Sequence, residues 1–523
     1  MKSLFKAVAL ITFFSVLTRL AGFLFRIYLS RAIGAEALGI YQVSFSIFMV
    51  LVTIVSSGIP LIISRNTAKY TTLQDKQAEK SLIGGSLIFS LVLSLIVCLF
   101  VLLFKSLLSH IFTDERCINI LIVLLPAVVF SGLYGTFRGW LWGKNNYFGV
   151  CISELFEQLV RIIICVIMLG TTFTVFDGAT TAAASMSIAC ALSAILIIII
   201  FFICGGRVGK PKNMYKDVIK PSTPITLVRL ATSLVQPVIA ILIPLRLVAA
   251  GFTNAQAISQ YGIAIGMTMP LLFIPSAIIG SLSMALIPDI SSAVTKQDTS
   301  HIENRITTSL IFSLFVSALF VPLFIGAGQQ IGMFFYDNAQ SGNLLASAAW
   351  IMIPIGLTNV TSSILNALGL EVKSLKNYII GAIMLLLCVW FLPKYIGVKA
   401  LIWGMGICTG TASILNIRMI KKKCNTKLKL VKPLFLMCAL TIPVAALTSF
   451  LANILSNYFT LFFTLAITCS IGAILFILLC MVFNLIDYNA WFVKFKLFKN
   501  KKFKLPKFIR FKIKKKTKAD SES

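Results

Sequence analysis

The strongest constraint on this chain is the recurrence, from end to end, of apolar runs about 20 residues long. A run of that length spans the hydrocarbon core only as a helix, which satisfies its own backbone hydrogen bonds. Fourteen runs are expected, approximately at 7–30, 39–63, 82–105, 117–140, 149–170, 178–203, 222–248, 257–284, 306–327, 342–368, 376–393, 398–420, 433–454 and 459–483. Hydrophobic residues make up 58% of the 523 positions and charged residues 12%, which excludes an ordinary water-soluble protein. The expected fold is an all-α integral membrane protein with fourteen transmembrane helices.

The net charge of +30 would suggest nucleic acid in a soluble protein, but the basic residues fall in alternate connections. One side collects Lys2 and Lys6, 65–80, Arg138 and Lys144, 207–220, Lys296 and Arg305, Lys373 and Lys376, 421–432 and the tail. By the positive-inside rule that side is the cytoplasm, so both termini are expected there and the chain in the plasma membrane. The tail between Lys494 and Lys518 holds 13 of the 47 Lys and Arg residues, interleaved with Phe and Leu. Following a cytoplasmic helix end, it suits anionic lipid headgroups better than nucleic acid.

Comparison of the chain with itself indicates two parallel six-helix lobes. Arg19 in "TRL" matches Arg229 in "VRL", Arg31 matches Arg246, and Tyr41 matches Tyr261. Pro60 and Pro288 have the same separation as Pro126 and Pro354. The expected domains are an N-terminal lobe at 1–205, a C-terminal lobe at 206–430, two extra helices at 431–485 and a basic tail at 486–523. A cavity between two such lobes is the usual place for a substrate.

The chain has no catalytic constellation, no phosphate-cradling glycine loop and no metal-like His/Cys spacing, so no enzyme, cofactor or metal is expected. What its spans do contain is charge. Arg19 lies mid-run, roughly 15 Å from either interface and too deep to snorkel, so it must face protein or water. Arg26 follows seven residues later on the same helical face. Arg19, Arg26 and Arg229 are the candidate substrate residues, since guanidinium forks bind phosphate oxygens bidentately. Glu154, Glu157, Gln158 and Arg161 form a second constellation along one face of the fifth run, as a coupling element or as a Glu157–Arg161 helical ion pair. Arg31 and Arg246 fall at helix ends, as interface anchors.

The segment from Ile33 to Gln42, "IGAEALGIYQ", followed by "VSSGIPLIISR", resembles the stage V sporulation protein B and polysaccharide biosynthesis group. That group belongs to the multidrug/oligosaccharidyl-lipid/polysaccharide (MOP) exporter superfamily, with the lipid II flippases of the MurJ type. The family motif RGxxQGxxxMxPxAxSQxxEQxxR is carried here by Arg138, Gly139, Gly143, Ser153, Glu157, Gln158 and Arg161. The chain departs from it at Trp142, Tyr147, Gly149, Cys151 and Glu154. The resemblance implies a flippase that carries an undecaprenyl-diphosphate-linked saccharide from the inner to the outer leaflet by alternating access, with first-span arginines important. It also implies a place beside enzymes of cell-wall or spore-cortex synthesis. Two rivals are a cation-coupled multidrug exporter of the same superfamily and a non-transporting scaffold for wall synthesis. Arginines where such exporters place a carboxylate argue against the first.

Overall fold

The computed structural model describes residues 2–170, 175–212, 214–281, 290–291, 299–424, 430–483 and 485. The expectations for Pro288, Lys296 and the basic tail at 486–523 lie outside the described residues. Nearly everything described is helix, as the apolar runs require. Large apolar side chains such as Phe435 and Ile442, 72% and 71% exposed, cover the outside of the bundle. In water such a surface would aggregate, whereas lipid solvates it. This is a multi-pass membrane protein.

Eleven described helices are long and apolar enough to cross a membrane, or twelve if a bent pair counts as one span. The gap from the expected fourteen has a physical origin. The first of them, Leu10–Thr72, is 63 residues long, ~95 Å of helix against a core of about 30 Å. Within it α1 (Lys2–Ser56) turns at Gly34, whose φ of 76° is strained for a residue with a Cβ. The run expected at 39–63 is split again at Ser57, before α2 (Ile59–Thr72). Pro60, in the first turn of α2, has no N–H to offer the carbonyl of Ser56. The fifth expected run is α6 (Tyr147–Leu169), 23 residues long but carrying Glu154, Glu157 and Arg161.

The other helices of the first half are α3 (Lys76–Leu103), the short α4 (Lys105–Ser109), α5 (Arg116–Gly143) and α7 (Val175–Ile203). Local chemistry sets several starts. The Asp75 carboxylate accepts from the Ala78 N–H at 2.8 Å ahead of α3, and the Asn146 side chain accepts from the Gly149 N–H at 3.0 Å ahead of α6. Packing then gathers α1, α2, α3, α6 and α7 around α5. At one end of this group Glu79 accepts from the buried Trp140 indole at 2.6 Å and from Lys144 Nζ at 2.8 Å. At the Gly34 end, Arg116 pairs with Glu36 at 2.5 Å and Asp114 at 2.7 Å.

The run expected at 222–248 is two helices, α8 (Lys220–Ser233) and α9 (Val235–Val248). Pro237 removes the N–H that would have bonded the Ser233 carbonyl, so the ladder breaks there. The next run is α10 (Asn254–Tyr261), a π-helical stretch at Gly262–Thr268, α11 (Met269–Leu272) and α12 (Ile274–Ser281), bent by 41° before α12. Then follow α13 (Thr299–Tyr336), α14 (Ala339–Ala348), α15 (Met352–Ala367), α16 (Glu371–Phe391), the one-turn α17 (Pro393–Ile396) and α18 (Lys399–Cys424). The last two, α19 (Val431–Leu455) and α20 (Leu461–Val482), pack on α13 and on each other.

Helix α1 crosses α10 and the π-helical stretch at close range. A Cβ on Gly39 would overlap the carbonyl oxygen of Ile258, and one on Gly262 that of Ala35. Gly262 and Gly266 are four residues apart, and Gly266 lies against Leu38. Small residues at this spacing let two helix backbones touch, a recurrent solution where lipid supplies no hydrophobic drive between helices.

Candidate functional site

Beneath that crossing lies a chamber of three adjoining cavities. The most cationic, about 410 Å³, is lined by Arg19, Gly22, Arg26, Tyr41, Gln42 and Phe45 of α1, Arg161 of α6, and Pro270 and Phe273, among others. Three guanidinium groups line it and no carboxylate does. Among the described residues Arg19 and Arg26 have neither a hydrogen bond nor an ion pair, whereas Arg31, Arg116, Arg138 and Arg246 are all engaged. Cations with no protein partner on a cavity wall are available to an anion.

Arg161 reaches this cavity because it does not form the helical pair expected with Glu157. One Nη donates to Gln158 Oε1, the other lies 3.1 Å from Met186 Sδ, and the guanidinium sits over the Phe25 ring at 5.4 Å. The amide acceptor three residues back and the aromatic face of α1 draw it away from Glu157. Glu157 faces a different cavity, its Oε1 4.0 Å from Cys190 Sγ of α7.

That second cavity, about 360 Å³, lies between α1, α5, α6 and α7, and its wall includes Arg138, Glu154, Glu157 and Gln158. Arg138 approaches Glu154 at 3.5 Å and stacks on Trp142 with 4.8 Å to the ring centre. Both partners stand where the chain departs from the family motif, so the departures are mutually supportive. Gln158 joins the two cavities, lining this one while holding Arg161 of the other. Its side chain also lies where a Cβ on Gly22 would be 3.5 Å from Nε2.

The third cavity, about 560 Å³, shares Arg26, Gln42, Phe45, Pro270 and Phe273 with the first and Met49 with the second. Its other walls are apolar or neutral, including Gln236, Tyr261 and Tyr378. Tyr41 and Tyr261, matched by the duplication, thus line adjoining cavities.

The structure brings Arg19, Arg26 and Arg161 together, and Glu157 and Gln158 beside them. Arg229 is not brought in: it is exposed on α8 and lines none of the three cavities. From α8 only Ser233, one helical turn further on, reaches the chamber. The charge expected from Arg229 is supplied by Arg161 instead. Arg31 lies inside α1, three residues before Gly34, and Arg246 in the last turn of α9, and each donates across to the end of another helix. Arg31 donates to the carbonyls of Phe334 and Phe335 (2.9 Å for the latter) at the end of α13, and Arg246 donates to the Trp390 carbonyl at 2.8 Å at the end of α16. Each satisfies carbonyls that a helix terminus leaves without partners.

Sequence reasoning did not single out Gln42, Phe45, Pro270 or Phe273 as site residues. The available signals were modest: Gln42 closes the family-like "GIYQ", and Pro270 interrupts an apolar run.

Comparison with known proteins shows the fold and the family. Stage V sporulation protein B of Bacillus subtilis (strain 168) is 24% identical over 71% of this chain and 74% of its own length. The solved inward closed conformation of the lipid II flippase MurJ covers 91% of this chain and 98% of that chain, with a TM-score of 0.68 at 15% identity. An inward-facing multidrug resistance MATE family transporter of the MOP superfamily covers 78% of this chain and 94% of its own, with a TM-score of 0.61 at 16% identity. The family model described as polysaccharide biosynthesis protein matches residues 4–294, more than half of the sequence, and the chain therefore belongs to the polysaccharide biosynthesis protein family.

Proposed function

We propose that this membrane transporter of the MOP superfamily is a flippase that moves a polyprenyl-diphosphate-linked saccharide from the inner to the outer leaflet. The observation that carries the reading is the wall shared by Arg19, Arg26 and Arg161, with no carboxylate to neutralise them. A diphosphate leaving the headgroup region forfeits its hydration, and fixed guanidinium forks replace it with charge-assisted, bidentate hydrogen bonds. An apolar tail would remain in the lipid while the charged head crosses inside the protein.

In this reading 1–205 and 206–430 act as two lobes that rock about the Gly39–Gly262 crossing, which closes one end of the chamber. Residues 431–485 form a flank on α13. The termini are cytoplasmic, and the basic tail at 486–523 rests on anionic headgroups. Cationic drugs would be repelled by the arginine wall, which weighs against the exporter reading despite the shared fold. A scaffold would have no use for unpartnered charges in a cavity.

The test is reconstitution in liposomes containing lipid II, with outer-leaflet appearance measured for the wild type and for Arg19→Ala, Arg26→Ala and Arg161→Ala. Loss in these variants at normal protein yield supports the reading. Wild-type rates in the triple variant defeat it.

A further inference from the structure

The 560 Å³ cavity holds polar groups for which an arginine-bound diphosphate has no use. Gln42 is 8% exposed and Tyr261 1%, yet the Gln42 carboxamide and the Tyr261 hydroxyl make no hydrogen bond among the described residues. Neither group is sealed off as the unpartnered hydroxyl of Tyr336 is, so the small surface each keeps belongs to the chamber wall. Their positions follow from the tight crossing above the chamber: Gln42 lies three residues after Gly39 on α1, and Tyr261 ends α10 directly before Gly262. Gln236 of α9, exposed and also without a partner among the described residues, adds a second carboxamide to the same wall. A buried polar group left unpaired is costly, so such groups mark a place where a partner is missing. Carboxamides and a phenol both donate and accept, as the hydroxyls of a sugar do, and the rings of Phe45 and Phe273 offer apolar surface to its C–H faces.

We propose that this cavity is the subsite for the sugar joined directly to the diphosphate, with Gln42, Gln236 and Tyr261 hydrogen-bonding to its hydroxyl or amide groups. The proposal rests on the flippase reading and adds where the saccharide sits. The placement follows from the shared wall: Arg26, Gln42, Phe45, Pro270 and Phe273 line both this cavity and the arginine cavity. A diphosphate on Arg19, Arg26 and Arg161 has its sugar one bond away, and the space that adjoins Arg26 is walled by neutral polar groups.

The rival occupant is the start of the polyprenyl tail. Hydrocarbon in this cavity would leave both carboxamides and the phenol unpaired, whereas a sugar pairs them. A cation is disfavoured because no carboxylate lines the cavity and Arg26 does.

The experiment uses the full chain in nanodiscs and measures affinity for lipid II relative to bare undecaprenyl diphosphate. Comparing this ratio between variants cancels the difference in phosphate charge between the two lipids. Gln236→Leu combined with Tyr261→Phe should lower the ratio about tenfold, through weaker binding of lipid II alone. Neither residue lines the arginine cavity, so affinity for the bare diphosphate should stay within about threefold, which also reports an intact fold. Tyr261→Phe by itself removes one oxygen and should lower the ratio about threefold. Gln340→Leu, the same kind of change at an exposed position that lines none of the three cavities, should leave the ratio unaltered. An unchanged ratio in the double variant overturns the subsite, as does an equal loss of affinity for both lipids in it and in Tyr261→Phe. Tighter binding of both lipids by the double variant overturns it in favour of the tail, and a ratio lowered as far by Gln340→Leu overturns it too. A wild type that binds neither lipid overturns the flippase reading and the subsite with it, so the two failures are distinguishable.

Discussion

Replacing Arg26 by alanine separates a substrate-binding arginine from a structural one, because the two roles predict opposite effects on stability. Arg26 shares its cavity with Arg19 and Arg161, has no acidic neighbour in that wall and makes no hydrogen bond among the described residues. Its removal therefore strands no partner, and the penalty of about 3–5 kcal/mol for breaking a buried ion pair does not arise. Relief of repulsion among three like charges should leave the unfolding temperature unchanged or raise it. Binding moves the other way. A bidentate pair of charge-assisted hydrogen bonds to a phosphate, at about 1.5 kcal/mol each, is worth about 3 kcal/mol, or a weakening of Kd by roughly 150-fold. Arg26→Lys keeps the charge and loses the fork, so a loss of about tenfold is expected. The assay is thermal unfolding of purified protein alongside titration with undecaprenyl diphosphate in nanodiscs. A lowered unfolding temperature for Arg26→Ala with near-normal binding would refute the reasoning and make Arg26 a structural residue.

Three further outcomes are expected. Gly39→Val pushes a side chain into the backbone at Ile258, where nothing flexible can yield, so it should cost about 1–3 kcal/mol or more of stability, read by thermal unfolding in detergent. Glu79→Ala removes the acceptor of both Trp140 Nε1 and Lys144 Nζ and should destabilise by about 2–4 kcal/mol, with faster proteolysis at the α2–α3 connection as a second readout. If the positive-inside assignment is right, Asp337→Cys in a chain otherwise free of cysteine is labelled by an impermeant maleimide added outside intact cells. Labelling only after the membrane is opened would invert the topology.

The sequence by itself determined the membrane class, because no other solvent accommodates so many apolar runs, and it determined which runs carry charge. Spacing alone put Arg19 and Arg26 on one face of the first helix. Comparison of the chain with itself matched Arg31 with Arg246, and each donates to a backbone carbonyl near the end of another helix. The family-like motif marked Glu157, Gln158 and Arg161 as a unit worth attention. What only the tertiary structure decided is which of these charges meet. Helical periodicity lists the residues on a face without saying which neighbour the face will meet. Arg161 could have satisfied itself on Glu157 within one helix. The Phe25 ring of α1, Met186 of α7 and Gln158 draw it instead into the cavity of Arg19 and Arg26. Arg229 matches Arg19 in sequence, yet α8 ends at Ser233 before the Pro237 break and leaves it outside the chamber. The contents of each helix face are written locally, whereas the partner of each face is set by packing between separate helices.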